Sequence, residues 1–297
     1  MGHDHAHHHS SKNLKTAFFL NVAFTIMEFI GGIYVNSVAI VSDAIHDLGD
    51  SLSLGFAWFL DVRSKKSATK RFTFGYSRLS LLGALINSVV LIIGSVFVIN
   101  EAISRFINPE LSDANGMIVF ALFGIAVNGY AAWKLSGAKT LNEKVVSWHL
   151  MEDVLGWFAV LVAAIVLKFY ESPYIDPALS IAIMAYILFN VIKRLKETLF
   201  LFLQGTPDDI DINNVENELI IIEQINSVHH THVWSLDGEQ HVFTTHVKLN
   251  NIDSLLELAK VKAAIKSVLK KYPFKHHTVE VELCEETCRM EEEHHNH

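Results

Sequence analysis

Six apolar stretches dominate the chain: residues 14–35, 38–62, 79–107, 114–135, 145–170 and 175–203. A helix needs about 20 apolar residues to cross the hydrocarbon of a bilayer. Within lipid, an isolated segment satisfies all of its backbone N–H and C=O groups only as a helix. The expectation is an α-helical membrane protein with six transmembrane helices. Composition agrees, since 51% hydrophobic residues is too apolar for an ordinary soluble protein. A net charge of −8 without a basic stripe excludes a nucleic-acid partner.

Lysine and arginine orient the spans. Arg63, Lys65, Lys66, Lys70, Arg71 and Arg78 lie between spans two and three. Lys134, Lys139 and Lys144 follow span four, and Lys193, Arg194 and Lys196 close span six. The opposite loops carry only Arg105 and Lys168. The positive-inside rule then places both termini in the cytoplasm. Residues 1–11 are His-rich and lack the basic start and cleavage site of a secretory leader. Interruption by Asp4 and Ala6 favours a native tail over an affinity tag.

Beyond Gly205 and Pro207 the composition becomes that of a soluble domain. An amphipathic helix is expected over 213–225 and an alternating strand over 227–236. Asp237-Gly238 reads as a hairpin turn into a strand over 241–249. A helix over 253–271 with Asp253 as its N-cap and a strand over 278–283 follow. This αββαβ order describes a small α+β domain with helices on one sheet face. The expected division is a tail at 1–11, a transmembrane domain at 12–204, a cytoplasmic domain at 205–285 and an acidic, His-containing tail at 286–297.

Two of the spans carry a His-x-x-x-Asp pair: His46 and Asp50 in SDAIHDLGDS, His149 and Asp153 in WHLMEDVLGW. Residues four apart share one helix face. Ionisable groups within spans are costly and face a bundle interior or a water-filled path. Two imidazoles and two carboxylates suit tetrahedral zinc better than calcium or magnesium, which prefer all-oxygen shells. Cadmium, cobalt and nickel remain open. Ligation needs neutral imidazole and ionised carboxylate, so such a site exchanges metal for protons, the counter-ion. Asp43 can guide ions or sit at the membrane surface, and Asp47 points away from His46 toward water or a neighbouring helix. Asn21, Glu28, Asn87, Asn128 and Asn190 line a path or bond between helices.

These residues resemble the cation diffusion facilitators over about residues 12–282. The resemblance rests on NSVA running into SDAIHDLGD, on FGYSRLSLLGALIN, WHLMEDVLGW and IDPALS, and on VHHTHVW and TTHVKL. It implies a homodimeric exporter of divalent metal, usually zinc, from the cytosol by proton antiport, in a prokaryotic inner or plasma membrane. His46, Asp50, His149 and Asp153 fall on the family's transport-site positions, in its zinc-preferring pattern. Ser80 stands where members often carry Glu, and the loop between spans four and five lacks their His-rich insert.

The resemblance also implies a ferredoxin- or metallochaperone-like cytoplasmic domain that binds zinc in a regulatory role near a dimer interface. The matching positions are His229 or His230, His246 and Glu282, with His276 or His277 as additions. By strand alternation His230 and His232 share one face, with His246 on the neighbouring strand. Cys284 and Cys288, an i, i+4 thiol pair, can join such a site but imply no disulfide framework. Two other functions compete. A membrane metallohydrolase is disfavoured because four ligands close the coordination sphere and no His-Glu-x-x-His run occurs. A membrane-anchored metal sensor would not require ligands at membrane depth.

Overall fold

A computed structural model describes residues 4–64, 68–135 and 141–288. Six long helices come first: α1 (Asp4–Tyr34), α2 (Val38–Ser64), α3 (Leu79–Ile107), α4 (Ala114–Leu135), α5 (Leu141–Phe169) and α6 (Ile175–Phe202). They are followed by α7 (Ile212–Ile220), β1 (Ile225–Ser235), β2 (His241–Leu249), α8 (Leu255–Leu269) and β3 (Phe274–Glu282). The chain forms two compact units: Met1–Ser67 with Gly83–Leu195, and Ala68–Leu82 with Lys196–His297.

In the helical unit, large apolar side chains such as Phe97, Trp133, Phe158 and Phe189 point outward and are exposed. Water would penalise that surface, whereas lipid does not. Among the described residues, α1, α3, α4, α5 and α6 are long and apolar enough to cross a membrane. α2 is equally long, but its acids lower its hydropathy. It turns Asp43 and Asp47 into the bundle and Leu48 and Phe59 outward.

Two apolar clusters hold the bundle. Ile40, Met117, Ala121, Trp157 and Val160 join α2, α4 and α5. Gly124 lies directly under the Trp157 indole, where any Cβ would collide with the ring. Val38, Ile45, Leu91, Val98, Ala102 and Met184 join α2, α3 and α6. Here Gly49 lets α3 approach, since a Cβ would come within 2.7 Å of Leu91.

The second unit carries the sheet, ordered β1-β2-β3. β1 and β2 pair antiparallel, and α8 crosses over so that β2 and β3 run parallel. Val215, Leu219, Val233, Phe243, Val247, Val261 and Ile265 pack the helices against one sheet face. On β2 the intervening residues, including His246, therefore project from the face without helices.

Several boundaries differ from expectation. α7 ends at Ile220, and Ile225 begins β1. The N-cap of α8 is Ser254, whose Oγ accepts from Glu257 N, while Glu257 reaches back to Asp253 N. This reciprocal arrangement takes its hydroxyl from the residue after Asp253. β3 starts at Phe274, earlier than expected, because its first residues are exposed and show no inward apolar alternation.

Candidate metal centres

The first centre lies between α2 and α5. His46 and Asp50 stack one turn apart, with His46 Nε2 3.8 Å from Asp50 Oδ2. Across the helix boundary, the same nitrogen lies 3.9 Å from Asp153 Oδ1. Ligands around tetrahedral zinc, at bond lengths near 2.0–2.1 Å, sit about 3.3–3.4 Å apart. Each of these two pairs is thus about half an ångström wider than the spacing of ligands on one ion. His149 belongs to α5, one turn before Asp153, and its side chain lies outside the described residues.

His46, Asp50 and Asp153 line a cavity of about 570 Å³. Asp43 lies in its wall, and Asn87 and Asn190 contribute further polar groups. Glu152, which accepts a 3.3 Å hydrogen bond from Tyr186 Oη, and Arg194 also line it. Glu152 has no place in the sequence reading, and Arg194 enters it only as a basic residue that orients span six. The signal for Arg194 is its spacing from Ile183, Ile187 and Asn190, which repeats along one helix face. Asp47 turns toward α1, and its carbonyl accepts from Asn21 Nδ2. Glu28, fully buried on α1, lies beside Asp47 and Asp43. Among the described residues, Asn128 bonds within its own helix, to the Gly124 carbonyl.

The second centre lies on the helix-free face of the sheet. His229, His246, Glu282 and Cys288 bring one donor atom each within 4.8 Å of one another. His246 Nδ1 is 2.8 Å from Glu282 Oε1 and 3.5 Å from Cys288 Sγ. His229 Nε2 is 3.2 Å from Glu282 Oε2, and among the described residues neither of these two buried atoms has a hydrogen-bond partner. Nitrogen and sulfur ligands of one tetrahedral zinc sit about 3.5–3.6 Å apart, so the thiol spacing fits as it stands. Burial alone would raise the Glu282 pKa. Hydrogen bonds from His246 and Cys288 and the charge of His229 outweigh it and hold the carboxyl below the ordinary glutamate range.

A β-bulge builds this centre and corrects the strand reading. β1 takes an extra residue between His229 and His232, with His230 in the left-handed region at φ 50°. Consequently His229 pairs with His246 and His232 with Thr244, so both fall on the helix-free face. His230 stays nearby through its ring, 5.5 Å from that of His246, but is not one of the four donors. His232 is exposed, and His276 and His277 pair with Val242 and Phe243 farther along β2. His276 stacks edge-on against Phe74. Cys284 is exposed while Cys288 is buried, because residues 283–288 are not helical. The two thiols therefore do not act as an i, i+4 pair.

A helical membrane unit with an acidic, histidine-bearing cavity, followed by a small α/β unit, defines a multi-pass membrane cation transporter. Residues 14–203 match the cation efflux transmembrane domain, and residues 207–284 match the cytoplasmic domain of cation efflux proteins. The chain belongs to the cation efflux family. It is 31% identical to the "Cadmium, cobalt and zinc/H(+)-K(+) antiporter" of Bacillus subtilis, covering 100% of both chains. Identity to the "Zinc transporter ZitB" of Pectobacterium atrosepticum is 32%, over 100% of this chain and 94% of that one. To the "Metal cation efflux system protein CzcD" of Cupriavidus metallidurans it is 31%, over 96% and 92%. The protein is thus a transporter and not an enzyme, which removes the metallohydrolase and anchored-sensor readings.

Proposed function

We propose that this protein exports zinc from the cytosol in exchange for protons, holding the ion between His46, Asp50, His149 and Asp153. The observation that carries this reading is His46 of α2 lying 3.9 Å from Asp153 of α5 on the wall of one cavity. His149 completes the set because helical spacing puts it on the face of Asp153. Loading requires deprotonated ligands, so proton uptake from the far side displaces the metal. The proton in the name of the Bacillus subtilis relative supports that exchange. Cadmium and cobalt, also in that name, are expected secondary substrates, and nickel belongs in the same test panel.

The basic loops put both termini in the cytosol, and the transmembrane domain runs from residue 12 to residue 204. The domain at 205–285 sits in the cytosol and joins two copies into a homodimer. There His229, His246, Glu282 and Cys288 take up a regulatory metal; the buried His229 Nε2 and Glu282 Oε2, facing each other at 3.2 Å with no hydrogen-bond partner among the described residues, support a cation between them. The histidines of the two tails collect metal loosely. Flux into proteoliposomes across a zinc, cadmium, cobalt and nickel panel tests the reading. The parent should accumulate zinc as protons move the other way, and Asp50→Ala and His149→Ala should not.

A further inference from the structure

The helices α2 and α6 are hydrogen-bonded to each other at the end where both begin. At the end where both begin, Asp176 of α6 is 1% exposed and reaches across to α2. Its Oδ2 accepts from Val38 N at 2.7 Å, and its Oδ1 accepts from Ser37 Oγ at 2.5 Å and Ala39 N at 3.3 Å. The first amides of a helix have no partner within it and carry the positive end of its dipole. Asp176 therefore caps α2 from a different helix. One turn deeper, Ser42 Oγ and Ser180 Oγ lie 2.6 Å apart, both fully buried. Val38, Val98, Ala102 and Met184 pack around this junction.

Farther along the same two helices a cavity lies between them, walled by Asp43, His46 and Asp50 from α2 and by Ile187, Asn190 and Arg194 from α6. Arg194 lies in the last third of α6 and Asn87 in the first third of α3, both toward the end that carries the basic loops. In the orientation proposed above that end is cytosolic. The cavity at His46 thus extends toward that end, and the α2–α6 junction lies beyond its opposite end.

We propose that Asp176 is the outer gate: its clasp on the first turn of α2 closes the exit path and must part for the ion to leave. A carboxylate and helix amides suit this role. At the membrane surface, water can replace each lost hydrogen bond when the clasp opens, which it cannot do at mid-bilayer. The turn before α2 is held separately. Asn36, left-handed at φ 54°, accepts from Arg105 through both its backbone O and its Oδ1, at 2.8 and 2.7 Å. The start of α2 is thereby anchored to α3, and opening moves α6 away from it.

The gate rests on the exporter reading but is tested apart from it, in the full-length protein in proteoliposomes. In Ser42→Cys/Ser180→Cys, membrane-permeant iodine oxidises the two thiols to one disulfide, giving two iodides and two protons. The cross-linked protein should still bind zinc from the cytosolic face, lose flux to the protein-free level and recover it with reductant. Single-cysteine variants report any effect on Cys284 and Cys288. Retained flux, or lost cytosolic binding, in the cross-linked form overturns the gate. Absent flux in the parent overturns the exporter reading instead. A second arm needs no transport: Asp176→Asn, combined with Ser180→Cys, should raise labelling by an external, impermeant maleimide about tenfold, as expected for a weakened closed state. Unchanged labelling overturns the gate.

Discussion

His46 of α2 and Asp153 of α5 face each other across a helix boundary, 3.9 Å apart. Neither helix alone supplies enough donors for a tetrahedral ion, so the site exists only while the two helices are packed. Trp157, one turn beyond Asp153 and buried against Gly124, helps hold α5 at that distance.

Removing one ligand should leave three donors and a vacancy open to water. His46→Ala is expected to weaken zinc binding about 100-fold or more, since even outer-shell partners are worth 10–100-fold. Equilibrium binding to the purified variant, with the cytoplasmic centre saturated first, measures this directly. A zinc affinity equal to the parent's would remove His46 from the site.

Proton coupling has a direction. Each imidazole that must lose a proton to bind makes loading weaker by about tenfold per pH unit below its pKa. Zinc uptake into sealed vesicles should therefore quicken when their interior is more acidic than the medium, with the protein's cytosolic face outward. Flux indifferent to the gradient would contradict exchange.

Of the four donors in the proposed cytoplasmic centre, Cys288 would be the soft one. Cobalt bound there should show the charge-transfer absorption of a thiolate ligand. Cys288→Ser should abolish that band and weaken cadmium more than zinc, whereas Cys284→Ser should change neither. Persistence of the band in Cys288→Ser would assign the thiolate to another residue.

Glu282 predicts the acid limb of the metal-free cytoplasmic domain. Its folded pKa lies below the ordinary value. The stability this confers is thus complete above the ordinary glutamate range and is lost as pH falls through the lower, folded value. Thermal unfolding of metal-free protein should show less acid sensitivity in Glu282→Gln. Equal sensitivity would mean that its pairing with His246 and His229 adds nothing.

Much of this was legible in the residues. The spans were visible because lipid demands long apolar runs, and the His-x-x-x-Asp pairs stood out because lipid tolerates so few ionisable groups. What stayed hidden depends on tertiary contact. Nothing local marks Asp176 as the cap of a helix more than a hundred residues earlier. The bulge at His230 was invisible for a related reason: strand alternation assumes an unbroken register, and the inserted residue moved His229 onto the face expected for His230. Cys288 enters its site through a non-helical turn, which spacing alone could not foretell.

The central claim is that α2 and α5 jointly grip one cation. Anomalous diffraction at the zinc edge from zinc-loaded protein tests it most directly. The account predicts one peak about 2.0–2.2 Å from donor atoms of His46, Asp50, His149 and Asp153. A peak ligated from only one of the two helices, or none between them, would contradict it.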